Sequence, residues 1–309
     1  MRQDSVAKPK VAIIVLNWNG RDDTLACIAS LLKIDYAAYE IVVVDNGSTD
    51  DSVAVIRAAY PQVTLLKTDN NLGYVGGNNV GLEYAGATQA DYALLLNNDT
   101  EVAPDFLRLL VDVAEADPKV GIVGPTIYYF DQPDVIWSAG GGINWNKGLT
   151  WMIGVNETDK GQFGIAPRSV DFVTGCALLI KMSIVNLIGQ LDSRFFAYYE
   201  ETEWCVRVTR AGYKILHVPS SKLWHKISLV ARGTSPIVHY YMTRNRLLFL
   251  ESTQASWRAW LHTLLLEYAR TLVSWSVRPK WRHMRAQRDV MLLAIGDYFA
   301  GRVGRVSLK

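Results

Sequence analysis

The sequence predicts an α/β fold with a mainly parallel sheet flanked by helices. Three observations carry this. Over the first 120 residues short apolar runs alternate with helix-like segments, the runs are continuous in Val, Ile and Leu, and polar clusters follow them. Continuous apolar strands are buried on both faces, and helices between them make parallel crossovers. In order, VAIIVL (11–16) precedes a helical pattern to about Leu32, EIVVVD (40–45) precedes Ser52 to Ala59, VTLLK (63–67) precedes Val75 to Ala85, and YALLLN (92–97) precedes Pro104 to Ala116. Ser48-Thr49-Asp50 and Thr100 to Pro104 offer the short polar side chains and proline suited to a first helical turn. From Gly121 to about Gly164 the texture turns to Gly, Trp, Asn and Tyr and reads as loops and irregular strands. DFVTGCALLIK returns to a strand, IVNLIGQLD to a short helix and turn, and YEETEWCVRVTRAG to a helix closed by Gly212. YKILHVP is a last strand before LWHKIS.

Residues 237–309 differ in charge and pattern, and the expected division is a catalytic domain over 1–236 (halves of about 10–120 and 121–236) with a basic amphipathic tail. The 309-residue chain has a formal charge of only +2. The tail, however, holds 12 basic and 4 acidic residues, a net of +8 against −6 for the rest. At 100° per residue, Trp257, Trp260, Leu261, Leu264, Leu265, Tyr268, Leu272 and Trp275 share a sector of about 140°. A basic cluster follows at Arg278, Lys280, Arg282, Arg285 and Arg288. That pattern fits a helix packed on the body, or one lying on an anionic membrane surface. No apolar stretch reaches the roughly 18 residues a span needs, so membrane contact is expected to be peripheral. Cys27, Cys176 and Cys205 are widely spaced, against a disulfide framework or metal knuckle, and the near-neutral total gives no reason to expect a nucleic-acid partner. A cytoplasmic protein on the inner face of the cell membrane is the expectation.

Ligands of an open parallel sheet bind beyond the carboxyl ends of its strands, so Asn17-Trp18-Asn19-Gly20, Asp45-Asn46-Gly47-Ser48 and Asn97-Asn98-Asp99 should converge on one cleft. Neither GxGxxG nor GxxxxGK[ST] is present, which removes most of the support for dehydrogenase and NTPase readings. Asp45 could cap a turn or accept the imide N–H of a pyrimidine. The Asn- and Gly-rich loop 70–79 ends at a helix start, where a phosphate is favoured. Asp99 could cap a helix, or hold Mg²⁺ or Mn²⁺ on a diphosphate, which needs only one or two protein carboxylates. Glu200, Glu201 and Glu203 could serve a helix dipole or supply a general base. His225 read alone is most simply a packed histidine, and Trp137, Trp145 and Trp151 offer flat faces for an acceptor sugar or for ordinary packing.

Taken together in this order, VAIIVLNWNG, EIVVVDNGSTDDS, NNLGYVGGNNVGL, YALLLNNDT, VTGCALLIK, IGQLDSRFFAYYEETEWCVRVTRAGYKI, WHKIS and YYMTRNRL resemble the family 2 inverting glycosyltransferases of the GT-A fold. The likeness is to the bacterial branch with rhamnosyltransferases of cell-wall and O-antigen assembly, and runs from about residue 10 to 250. It implies that Asn17 and Asp45 hold the base, with Asn46 and Asn98 close by, and that Asn71 and Gly73 line the nucleotide pocket. It further implies that Asp99 and His225 hold the metal, that Arg244 meets phosphate, and that Glu201 is the base, with Glu200 supporting it or binding acceptor. The implied donor is a dTDP- or UDP-sugar, dTDP-rhamnose foremost, and the implied acceptor a glycan or polyprenyl-diphosphate-linked glycan; a homo-oligomer is compatible. Two positions depart from the family pattern. Asn97 replaces the first acid of its DxD motif, and Glu201 replaces the usual Asp base, adding a methylene of about 1.5 Å reach. Those departures are the only support for a rival reading, a catalytically inactive membrane scaffold.

Overall fold

The computed structural model describes residues 8–227 and 235–306; Ser228, which ends the WHKIS stretch, lies outside the described residues. The chain opens with β1 (Val11–Asn17), α1 (Arg21–Leu31), β2 (Tyr39–Asp45), α2 (Ser52–Ala59), β3 (Thr64–Lys67), α3 (Gly73–Ala87) and β4 (Tyr92–Asn97). These four strands pair in parallel in the order β3-β2-β1-β4. The register sets Asn17 beside Asp45 and Leu16 beside Asn97, so the polar strand ends are level along one sheet edge.

Next come β5 (Thr100–Val102), α4 (Phe106–Ala116), β6 (Val120–Tyr129), β7 (Ile136–Ser138), β8 (Gly141–Asn144), β9 (Leu149–Met152), β10 (Arg168–Ser169), β11 (Ala177–Lys181), α5 (Met182–Ile188), α6 (Glu200–Arg210) and β12 (Lys214–His225). β11 lies antiparallel between β4 and β6, and β12 runs parallel to β6, extending the same sheet. Two sequence expectations change here. The stretch after Gly121, expected as loops and irregular strands, begins with a regular strand of ten buried residues in the middle of the sheet. Its glycines and proline conceal it, but a Cβ on Gly124 would lie 2.7 Å from Val173 Cβ, so close packing excludes a side chain. Thr100 opens the short strand β5 on β12 instead of a helix, and α4 starts only at Phe106.

Alternation along the strands separates two apolar layers. Ala12, Ile14, Ala93 and Leu95 face α3, α5 and α6 through Leu82, Val185 and Trp204. Val11, Ile13, Val15, Leu94 and Leu96 face α1, α2 and α4 through Ile28, Ile56 and Phe106.

The C-terminal part holds α7 (Pro236–Ser252), α8 (Trp257–Leu261), a π-helical stretch (His262–Ala269), α9 (Arg270–Val277), a 3₁₀ turn (Pro279–Met284) and α10 (Arg285–Phe299). Leu248, Phe249 and Leu250 of α7 belong to the first apolar layer, so the boundary drawn at 236 does not separate two cores. The single amphipathic face expected from 257 to 275 also divides. Trp260, Leu264, Tyr268, Leu272 and Trp275 pack with Leu247 and Met291, whereas Trp257, Leu261 and Leu265 stay exposed. Among the described residues no helix is long and apolar enough to cross a membrane.

Candidate active site

The level strand ends form one hydrogen-bonded floor. Asn17 Nδ2 donates to Asp45 Oδ1 at 2.9 Å and to Ser48 Oγ at 3.2 Å. Its Oδ1 accepts from Thr24 Oγ1 at 2.9 Å and from the Gly20 N–H at 3.2 Å. Asp45 Oδ2 accepts the Ser48 N–H at 3.2 Å. Asn98 Nδ2 donates to Thr24 Oγ1 at 2.9 Å. Asn17 and Asp45 are fully buried. In this arrangement the Asn17 amide holds Asp45 and the loop after β1 in place.

Asn46 ties this floor to the neighbouring loop. Its Nδ2 donates to Gly73 O at 2.9 Å, and its Oδ1 accepts the Leu72 N–H at 2.9 Å. Asn71 Oδ1 accepts the Gly73 N–H at 2.8 Å. Gly73 has φ +76°, and a Cβ there would lie 2.5 Å from Phe196 O. Only glycine fits both the backbone angle and that approach.

Asp99 Oδ1 lies 3.0 Å from His225 Nε2, brought there because β5 and β12 pair Thr100 with His225. His225 is buried, with the Trp137 ring edge-on at 4.8 Å. Neighbouring ligands on an octahedral Mg²⁺-like ion with bonds of about 2.1 Å stand about 3 Å apart, the separation seen here. Among the described residues no group of three or more His, Cys, Asp or Glu side chains could hold a metal ion. The pair therefore fits an ion completed by phosphate oxygens and water, and not a self-sufficient site.

Glu200 and Glu201 open α6 between two cavities. The smaller, about 240 Å³, is lined by Tyr74, Asn97, Trp137, Thr174, Glu200 and Glu201 among others, and lies on the strand-end side. The larger, about 510 Å³, is mainly apolar and is lined by Trp151, Phe172, Tyr199, Glu201, Val238 and Met242 among others. Glu201 lines both, Glu200 only the smaller. Glu200 is 4% exposed with Oε2 unpartnered. Burial first, and the adjacent Glu201 second, push its carboxyl well above the usual carboxylate range. The same two glutamates, after burial, raise the Tyr74 phenol. Tyr74 donates to Gly175 O at 2.6 Å.

Two expected site residues fall elsewhere. Arg244 is 2% exposed, and its guanidinium donates to Gly304 O at 2.7 Å, Phe195 O at 3.0 Å, Arg194 O at 3.3 Å and Asn245 Oδ1 at 2.9 Å. A guanidinium spent on backbone carbonyls does not meet a phosphate, so the expected contact is corrected to a structural one. Trp145 stacks on Phe249 and lines a separate cavity with Asp171 and Arg210. Of the three tryptophans only Trp151 reaches the apolar cavity, while Trp137 flanks His225. Sequence reasoning missed Tyr74, Thr174, Tyr198, His239 and Asn245. All five stood within or beside stretches it did single out, without a signal of their own.

The family described as Glycosyl transferase family 2 matches residues 12–187. The N-acetylglucosaminyl-diphospho-decaprenol L-rhamnosyltransferase of Mycobacterium tuberculosis is 27% identical over 250 residues, 74% of this chain and 80% of that protein. The dTDP-rhamnosyl transferase RfbF of Shigella flexneri is 25% identical over 245 residues, 77% of this chain and 78% of that protein. Among solved structures, a mannosyltransferase from Pyrobaculum calidifontis in complex with GDP-Man and Mn²⁺ superposes with a TM-score of 0.61 at 14% identity, covering 96% of this chain and 89% of that one.

Proposed function

The chain belongs to glycosyl transferase family 2 and has the GT-A fold of a glycosyltransferase, and from that premise we propose that it transfers a sugar, rhamnose from dTDP-rhamnose foremost, to a glycan or lipid-linked glycan with inversion. The observation that carries the proposal is the position of Glu201, the carboxylate common to the smaller cavity at the strand ends and the apolar cavity beside α7. A donor in the first and an acceptor in the second meet at that side chain.

Glu201 takes the proton of the acceptor hydroxyl as its oxygen attacks the anomeric carbon, and the bond from that carbon to the diphosphate breaks on the opposite face. The proton ends on Glu201 and the bonding pair on the nucleoside diphosphate. Burial favours the protonated form of Glu200, which spares Glu201 a second negative neighbour. Asp45, Asn46, Asn71 and Gly73 form the nucleotide side, held in place by Asn17 and Asn98. Asp99 and His225 would hold Mg²⁺ or Mn²⁺, which would supply positive charge to neutralise the leaving diphosphate. Trp151 and the apolar wall take the acceptor.

The tail supports a second partner, an anionic membrane surface. Trp257, Leu261, Leu265, Ala269, Val273 and Val277 recur every fourth residue, and all six are exposed. Steps of four drift about 40° each in an α-helix, but an i→i+5 turn holds more residues per turn and reverses the drift. The π-helical stretch thereby keeps the row on one face, next to Arg278, Lys280 and Arg282.

A panel of nucleotide sugars, dTDP-rhamnose and UDP-sugars included, assayed for transfer with and without Mn²⁺, tests the reading. Glu201→Gln is expected to lower turnover by about 100-fold or more while dTDP or UDP affinity holds. Near-normal turnover of that variant would remove Glu201 from the base role, and metal-independent binding would remove Asp99 from the metal.

A further inference from the structure

Residues 194–199 lead the chain into α6 in a conformation their side chains resist. Phe196, Tyr198 and Tyr199 have φ of 67°, 71° and 74°. None is glycine, and a Cβ disfavours the left-handed region. Such backbone persists only where its surroundings over-determine it.

Here each carbonyl is claimed. Arg194 O accepts the Gly304 N–H at 2.9 Å, and Phe196 O accepts the Val75 N–H at 3.1 Å. Phe195 O, Ala197 O and Tyr198 O all accept from one group, Asn245 Nδ2, at 2.8, 2.7 and 2.9 Å. Two N–H donors thus serve three oxygens, one of them shared. The amide cannot turn over, because Asn245 Oδ1 accepts Arg244 Nε at 2.9 Å and Arg244 also holds Phe195 O. Asn245 is fully buried and has no access to either cavity's ligand.

We infer that Asn245 is a positioning residue: its amide, oriented by Arg244, holds the left-handed turn that aims Glu201 at the junction of the two cavities. The inference rests on the reading of Glu201 as the base. It makes α7 part of the catalytic apparatus through a side chain that lines neither cavity. The turn is braced from the nucleotide loop as well, through Val75 and through Gly73 beneath Phe196. Donor loop and base therefore share one support.

Asn245→Asp keeps the volume and the acceptor for Arg244 while setting an oxygen against three carbonyls. Hydrogen exchange on the full chain should then quicken by about tenfold or more in peptides covering 194–200 and stay unchanged in β1, β2 and β4. Turnover on the donor found by the panel should fall by about 100-fold, with dTDP or UDP affinity in Mn²⁺ moving less than about threefold. On a Phe196→Gly background the same change should cost less, because glycine takes the left-handed angle without strain. Unchanged exchange at 194–200, or a uniform rise along the chain, overturns the clamp. Faster exchange with turnover intact overturns the link from the turn to Glu201. A failure of the base assignment alone shows separately, as near-normal turnover of Glu201→Gln. If Asn245→Asp does not fold, a folded double variant with Phe196→Gly supports the clamp, and an unfolded one overturns it.

Discussion

Two adjacent glutamates of the same chemistry differ in burial, Glu200 being buried and Glu201 partly exposed. Glu200 is enclosed, its Oε2 has no partner, and its carboxyl is pushed up by desolvation and by Glu201. The folded chain therefore keeps a proton that the unfolded chain releases above about 4.5. This group's contribution to stability is present below that value and is lost as pH rises towards its folded value. Glu200→Gln should remove that loss: the urea midpoint of the parent, compared with the variant, should decline as pH rises above about 4.5, and a constant difference would show that Glu200 ionises normally. The same variant should lower turnover far less than Glu201→Gln. The pair was legible in the sequence as YEETEW. Which of the two is enclosed was not, because burial depends on what packs against α6.

At the scale of elements, β6, beside β12, shows where pattern reading fails. Gly121, Gly124 and Pro125 read as loop, yet they lie in a buried strand whose packing against Val208 and Val173 leaves no room for a Cβ at either glycine. Where the two strands pair, His217 Nε2 lies 2.8 Å from Thr126 Oγ1. Burial first, and Arg168 second, push the His217 imidazole from 6.5 down to about 4. The unfolded chain binds the proton more readily, so stability is full above 6.5 and is lost as pH falls towards 4. The difference corresponds to about 3 kcal/mol at full titration. Denaturant midpoints from pH 7 down to 4 should fall more steeply in the parent than in His217→Asn, and parallel profiles would place the acid-labile group elsewhere. By contrast β1, β2 and β4 were read correctly because strands buried on both faces write themselves as unbroken apolar runs.

For the whole molecule, the region beyond 236 has two faces with separate consequences. One completes the body: Leu248 and Phe249 join its core, and Tyr241, Arg244 and Asn245 hold the segment before α6. The other presents the apolar row next to arginine and lysine. Leu261→Asp with Leu265→Asp should abolish flotation with anionic phosphatidylserine vesicles and leave turnover on a soluble acceptor unchanged. A chain ending at Pro236 should lose turnover as well, since the core and the clamp go with it. Undiminished flotation of the double variant would leave the row without a membrane role.

The sequence by itself determined the doubly wound half, the polar strand ends and the order of motifs that marks the family, because each is written in neighbouring residues and strand periodicity. Only the tertiary structure decided which groups meet across the fold: Asp99 with His225 over a separation of 126 residues, Asn245 with the turn before Glu201, and Arg244 with backbone rather than phosphate. Those outcomes depend on burial and on which hydrogen-bond acceptors a folded chain leaves within reach. Neither quantity is local.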